Sequence, residues 1–215
     1  MCSLNIDGFV KMSTVDYPDN LSAVIFLKGC TWKCSYCHNQ HLQEMGNGKY
    51  NWITITEFLE IRKNKLDAIV FSGGEPTMHS DILQAIKRVK GMGFKAALHT
   101  AGIYPDRLKV LLPYLDWVGL DIKHLPEKYS DITGVPFSEI SVMQSISYLK
   151  DSGVEYECRT TINPDIITVE EIIEIAERLA NFGVKNYALQ IDRPIGLVGV
   201  RGKLEKLFDS FEIRE

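Results

Sequence analysis

Short apolar runs alternate with amphipathic stretches along this chain of 215 residues. Runs rich in branched and aromatic residues near 22–28, 67–72, 94–99, 115–121, 155–161 and 186–191 each predict a strand. Helical spacing predicts helices over 54–64, 79–91, 105–112, 138–152 and 168–182. The last has the clearest ends: Thr168 can cap it, Glu170 and Glu171 suit the positive end of its dipole, and Gly183 follows it. The tail, 203–211, reads as a short closing helix. Regular alternation of strand and helix implies a parallel sheet with right-handed crossovers, because a twisted strand feeding a right-handed helix packs back onto the sheet only with that hand.

The residues able to do chemistry follow the predicted strands. Cys30, Cys34 and Cys37 fall within eight residues, directly after the apolar run Leu21 to Leu27, so the thiols belong on the loop leaving the first strand. A cubane iron-sulfur cluster normally takes four thiolates, one per iron. Three on one loop, with no other Cys-rich segment, would leave one iron open to a reacting ligand. The competing reading is a zinc site completed by His38 or His41, since three Cys and one His form a known structural set. The second strand ends in Ser-Gly-Gly-Glu-Pro, where Gly73 and Gly74 let backbone come close to a ligand, and carbonyls with Glu75 nearby could receive an ammonium group. As a bare pattern this is also an ordinary strand-to-helix turn. His99 to Gly102 follow the third strand, Asp121 and Lys123 the fourth, and Arg159 closes the fifth. The carboxyl ends of parallel strands converge on one mouth, where barrel enzymes place their chemistry.

The C-x3-C-x2-C spacing, with Tyr36 before its last cysteine, resembles the cluster loop of radical S-adenosylmethionine (SAM) enzymes. Ser13-Thr-Val-Asp-Tyr-Pro18, His38-Asn39, Asp121-Ile-Lys123, Tyr129-Ser-Asp-Ile-Thr-Gly134, Glu157 to Pro164 and Ala188 to Pro194 extend the resemblance over nearly the whole chain. These segments are similar to the activating enzymes of glycyl radical proteins, above all the short activating proteins of anaerobic ribonucleoside-triphosphate reductase, with pyruvate formate-lyase activating enzyme as a relative. The resemblance implies a partial (β/α)6 TIM-like barrel. It implies a [4Fe-4S] cluster on Cys30, Cys34 and Cys37, and SAM as second cofactor. Tyr36 would border its adenine, Gly73, Gly74 and Glu75 would take its amino group, and Asp121 and Lys123 would hold its amino acid portion, Lys123 facing the carboxylate. Asp16, His38 and Arg159 match positions near SAM or the partner's glycine loop. The implied reaction is reductive cleavage of SAM to a radical that removes a glycine hydrogen from the partner, with flavodoxin or ferredoxin as electron donor. Two departures stand out. His99-Thr-Ala-Gly102 replaces the usual Asp-Thr-Asn-Gly, where His99 reads as a substitute ligand or, the favoured reading, a filled position. Asp192 stands where an aromatic residue is common. A radical SAM enzyme acting on a small molecule, such as 7-carboxy-7-deazaguanine synthase, is the alternative within the same fold.

Composition narrows the setting. Hydrophobic residues make up 45% and charged residues 24%, ordinary for a globular protein, and no linker or repeat divides the chain, so a single domain over 1–215 is expected. A net charge of -4 argues against nonspecific nucleic-acid binding. The basic clusters at Arg62 to Lys65 and Lys87 to Lys90 read as helix surfaces. Nothing approaches a signal sequence or the roughly 18 apolar residues of a membrane span, so a cytoplasmic protein is expected. Cys158 lies in an alternating strand and reads as a small core residue, whereas Cys2 gives no reading. The five cysteines do not suggest a disulfide framework.

Overall fold

Successive side chains of a strand point to opposite faces, and this period of two organises the molecule. The computed structural model describes residues 3–193, 196–197 and 199–214; Cys2 and Pro194 lie outside the described residues. Eight strands lie in one sheet in chain order: β1 (Ile6–Ser13), β2 (Ser22–Leu27), β3 (Ala68–Gly73), β4 (Lys95–Thr100), β5 (Trp117–Asp121), β6 (Glu155–Ile162), β7 (Asn186–Ile191) and β8 (Ser210–Arg214). β1 is antiparallel to β2, and every later pair is parallel. The helices are α1 (Trp52–Arg62), α2 (Ile82–Gly91), α3 (Pro105–Leu111), α4 (Tyr129–Thr133), α5 (Ser138–Ser152), α6 (Val169–Asn181) and α7 (Arg201–Leu204). The six expected strands are β2 to β7. The expected cap of α6 is a full capping box, with Glu171 N donating to the Thr168 hydroxyl at 3.2 Å and Thr168 N to the Glu171 carboxylate at 2.8 Å.

Alternate positions separate two environments. Ile25, Ile69, Phe71, Leu98, Leu120 and Leu189 face outward and are sealed by the apolar stripes of the helices, such as Ile86 and Val89 of α2 and Ile172 and Ile175 of α6. Cys158 belongs to this layer and is fully buried, as expected. The opposite face carries Val24, Val70, Ala97 and Trp117, which with Tyr17 form a separate apolar floor; the Tyr17 and Trp117 rings stack at 5.3 Å. Toward the carboxyl ends, positions of the same parity become polar: His99 follows Ala97, Asp121 follows Gly119, and Arg214 follows Glu212. The result is a partial α/β barrel with a dry floor and a charged mouth. Among the described residues no ladder joins β8 to β1, so the sheet does not close there, and Tyr50 bridges the outer edge of β1 at Ile6.

The tail corrects an expectation. A helix over 203–211 was predicted, but α7 ends at Leu204 and the chain enters β8, parallel to β7. Phe208 and Phe211 pack on Tyr187 at 5.0 and 6.1 Å, while Asp209 N donates to Lys185 O at 2.9 Å. Tertiary packing and strand pairing outweigh a weak local helical pattern here. β1 also went unpredicted, since an edge strand exposed at Val10, Lys11 and Met12 lacks the apolar alternation of a half-buried one.

Candidate active site

The cysteine loop is held by its backbone, leaving its side chains to the mouth. Gly29 has φ +114°, a left-handed turn that favours glycine. Gly29 N donates to Leu42 O at 2.7 Å and Cys30 N to Gln43 O at 3.3 Å. Farther along, Lys33 N and Ser35 N donate to Thr133 O and Ile132 O at 2.9 and 3.2 Å, which ties the loop to α4. The three thiols are unpaired, partly buried and line one cavity of about 830 Å³. Burial pushes the Cys30 thiol up to about 11 and raises Cys34 as well. Such thiols need a nearby cation to become thiolate ligands.

Gly73 and Gly74 line the same cavity, but their backs show another reason for glycine. A Cβ on Gly73 would lie 2.3 Å from Leu27 N and O, and one on Gly74 would lie 2.2 Å from Gly29 O and 2.8 Å from Leu42 O. The end of β3 thus packs backbone to backbone against the root of the cysteine loop, with Glu75 N donating to Gly29 O at 2.8 Å. Carbonyls with Glu75 nearby were expected to receive an ammonium group. The Glu75 side chain is fully buried and does not itself line the cavity, whereas Gly73 and Gly74 do. It accepts from Thr77 N (3.0 Å), the Thr77 hydroxyl (2.6 Å), the Thr100 hydroxyl (2.8 Å) and Ala101 N (3.0 Å). Burial pushes its pKa above the usual carboxylate range, and these bonds oppose the shift. Glu75 therefore braces the loops after β3 and β4, while the backbone of Gly73 and Gly74 faces the cavity.

Asp121, Lys123 and Arg159 form one cluster on the cavity wall. Arg159 grips Asp121 Oδ1 through Nη2 at 2.8 Å and Nε at 3.2 Å, and Lys123 Nζ donates to Oδ2 at 3.1 Å. Burial alone would raise the Asp121 carboxyl, yet Lys123 and Arg159 hold it well below the usual range. Burial would likewise lower Lys123, but Asp121 drives it up, so this lysine stays charged. Gly119 makes room for the guanidinium: a Cβ there would lie 2.7 Å from Arg159 Cζ. The Tyr36 hydroxyl donates to Lys123 O at 3.3 Å, and Lys123 Nζ lies 5.9 Å from the centre of the Tyr36 ring, so the cysteine loop and the end of β5 meet.

The remaining sequence candidates border the same cavity. Asp16 sits on the loop after β1, its carboxylate accepting from the Ser13 hydroxyl. His38 pairs through Nε2 with Asp192 Oδ1 at 3.0 Å, and Asn163 Nδ2 donates to Asp192 Oδ2 at 2.8 Å. Asp192 therefore links the cysteine loop to the ends of β6 and β7. His99 also lines the cavity. Sequence reasoning missed Gln190, Glu212 and Arg214, which complete the wall. Arg214 binds the Glu157 carboxylate with both terminal nitrogens, at 2.8 and 2.7 Å. The missing signal was β8: once Ser210–Arg214 is a strand, Glu212 and Arg214 must share a face.

A mouth of this kind belongs to a barrel enzyme that works on a bound ligand of cofactor size, for which cavities of roughly 300–1,000 Å³ are usual. Sequence comparison identifies the family. The model of the Radical SAM superfamily matches residues 24–179, and the chain belongs to that superfamily. A Methanocaldococcus jannaschii protein assigned as a glycyl-radical enzyme activating enzyme is 35% identical over 88% of this chain and 80% of its own. The pyruvate formate-lyase-activating enzyme of Clostridium pasteurianum is 30% identical over 98% of this chain and 89% of its own. Among solved structures, Streptococcus suis SuiB bound to its precursor peptide SuiA superimposes with a TM-score of 0.67 at 18% identity. That match covers 89% of this chain and 48% of SuiB, so it shows the fold of about half of that protein.

The protein is thus a radical SAM enzyme, and its family uses a [4Fe-4S] cluster with SAM. The donor set fits the cluster: three unpaired thiols lie on one loop at the cavity, and Cys158 is buried in the outer layer, away from them. Among the described residues no three His, Cys, Asp or Glu side chains gather around a point for a single ion. A cubane instead spreads its thiolates over separate irons. Both histidines of the zinc alternative have carboxylate partners, His38 at Asp192 and His41 at Asp7, 3.8 Å away. Family membership sets the zinc alternative aside. No helix among the described residues is long and apolar enough to cross a membrane.

Proposed function

We propose that this protein, acting as one domain in the cytoplasm, activates a glycyl radical enzyme, and that the partner is anaerobic ribonucleoside-triphosphate reductase. The observation that carries the reading is the sharing of one cavity by the three thiols and the Asp121–Lys123 pair, in a barrel whose sheet stays open between β8 and β1 among the described residues. The 30–35% identity to activating enzymes supports the activase, and the sequence resemblance running from Ser13 to Pro194 supports the reductase as partner. When bound, the cluster and SAM supply an electron and a cleavable carbon–sulfur bond, the source of the radical that takes the glycine hydrogen.

The chain's own residues hold and orient. Cys30, Cys34 and Cys37 ligate iron, leaving one position to SAM. Lys123, kept charged by Asp121, faces a carboxylate, while the carbonyls of Gly73 and Gly74 receive an ammonium group. Tyr36 borders the adenine. Arg159 keeps Asp121 ionised, and Asp16 and His38 meet the partner's glycine segment at the rim. A flavodoxin or ferredoxin is the electron donor in this reading. The test is electron paramagnetic resonance of the reconstituted protein mixed with SAM, a low-potential reductant and the reductase. A glycyl doublet is expected, and Asp16→Ala and His38→Ala should reduce it more than they reduce SAM binding. Absence of the doublet with every glycyl radical enzyme tried, together with turnover of a small molecule, would overturn the reading.

A further inference from the structure

The segment 14–19 forms a lip on the cavity, with Thr14, Val15, Asp16 and Pro18 in its lining. Its internal bonds are local: Asn20 N donates to Tyr17 O at 3.1 Å, Asn20 Nδ2 to Pro18 O at 2.7 Å, and Val15 N to the Ser13 hydroxyl at 3.3 Å. Its base is anchored by the Tyr17 stack on Trp117. Its tip is strained and open: Asp19 has φ +59° and Val15 is 76% exposed. Among the described residues one polar contact joins this lip to the barrel wall. His99 Nε2 lies 2.7 Å from the main-chain oxygen of Asp16. A carbonyl oxygen only accepts, so Nε2 carries the proton and donates it. Arg159 Nη1, 3.2 Å from the same nitrogen, then cannot donate to it; it is a cation pressed against a neutral ring. Burial, reinforced by that cation, lowers His99 to about 3, in agreement with the geometry.

We propose that His99 is a positioning residue, which donates through Nε2 to the Asp16 carbonyl and seats the lip so that the Asp16 carboxylate meets the partner's glycine segment in one place. The part concerning the partner rests on the function proposed above; the seat itself does not. The same geometry accounts for the departure of this chain from the Asp-Thr-Asn-Gly pattern. An ionised carboxylate at position 99 would set acceptor against acceptor and could not hold this carbonyl.

Hydrogen exchange of the reconstituted protein with SAM bound tests the seat. His99→Ala should speed exchange across the lip by about fivefold to tenfold, the scale of one lost hydrogen bond. The amides of Ala101 and Gly102, held by Glu75 and Thr100, should keep their protection and serve as the control for general damage. His99→Gln, whose side-chain amide nitrogen reaches the place of Nε2, should restore lip protection. In activation assays, His99→Ala should raise KM for the partner more than it lowers kcat. Lip exchange unchanged in His99→Ala, or raised equally in both variants, would overturn the proposal. If the unmodified protein activates no glycyl radical enzyme, the proposed function fails, and the exchange comparison still decides whether His99 seats the lip.

Discussion

Replacing Gly74 by Ala separates two reasons for a glycine beside a cofactor. If the position is glycine so that a ligand can approach, Gly74→Ala weakens SAM binding and leaves the protein intact. The structure predicts otherwise. The new Cβ would lie 2.2 Å from Gly29 O, 2.7 Å from Gly29 C and 2.8 Å from Leu42 O, all main-chain atoms unable to rotate away. That is roughly 1 Å inside ordinary contact. Relief requires the loop to lift, which breaks the bond from Glu75 N to Gly29 O at 2.8 Å and strains that from Gly29 N to Leu42 O at 2.7 Å. Overpacking costs about 1–3 kcal/mol, and each lost bond about 1 kcal/mol more. The sum is about 3 kcal/mol or above, a fall in Tm of about 6–12 °C for a chain of this length. Because Cys30 follows Gly29, iron retained after anaerobic reconstitution should fall as well. Differential scanning calorimetry of the metal-free protein and iron analysis are the assays. A Gly74→Ala protein with unchanged Tm and full iron content, but weakened SAM binding, would refute this reasoning.

Ala in place of Cys30, Cys34 or Cys37 should abolish the cluster, whereas Cys158→Ala should retain it; iron and acid-labile sulfide analysis distinguishes them. Lys123→Ala should weaken SAM about 10- to 150-fold, the scale of a lost charge-assisted bond of about 1.5–3 kcal/mol, with iron content unchanged; isothermal titration calorimetry reads the difference. His99 gives the protein a pH dependence of defined sign. Its folded value is lowered from 6.5 to about 3, so below pH 6.5 the unfolded chain binds the proton first and stability falls as pH falls through that window. The loss between pH 7 and pH 5 from His99 is at most about 2 kcal/mol, and urea unfolding should show a steeper fall in the wild-type protein than in His99→Gln, where His79, also lowered by burial, still contributes. Asp121, depressed by Lys123 and Arg159, adds a further loss below about pH 4, the range in which a free carboxylate protonates.

Strands such as β2, β3 and β5 and the residues that end or follow them were legible in the chain because a strand buried on both faces is commonly written as an apolar run, and its loop begins where the run stops. Hence the positions of the three cysteines, Gly73, Asp121 and Lys123 could be read directly, whereas β6 was legible from its alternation and carries Arg159 inside the strand, not at its close. The edges could not: β1 is exposed at three successive positions and β8 has no buried residue, so burial imposes no period on their sequence, and the wall formed by Glu212 and Arg214 disappeared with β8. Side-chain direction was also out of reach. Glu75 is one residue beyond two cavity-lining glycines, yet the hydroxyls of Thr77 and Thr100 turn it inward. Gly74 is constrained by Gly29, from another strand's loop, and Gly119 by Arg159, whose side chain arrives from β6. The pairing of His38 with Asp192 and the contact of His99 with Asp16 join residues far apart in the chain. Local pattern determines which backbone can form and where it ends; only the closing of the sheet decides which polar groups meet across the mouth, because those contacts depend on distances that no neighbouring residue encodes.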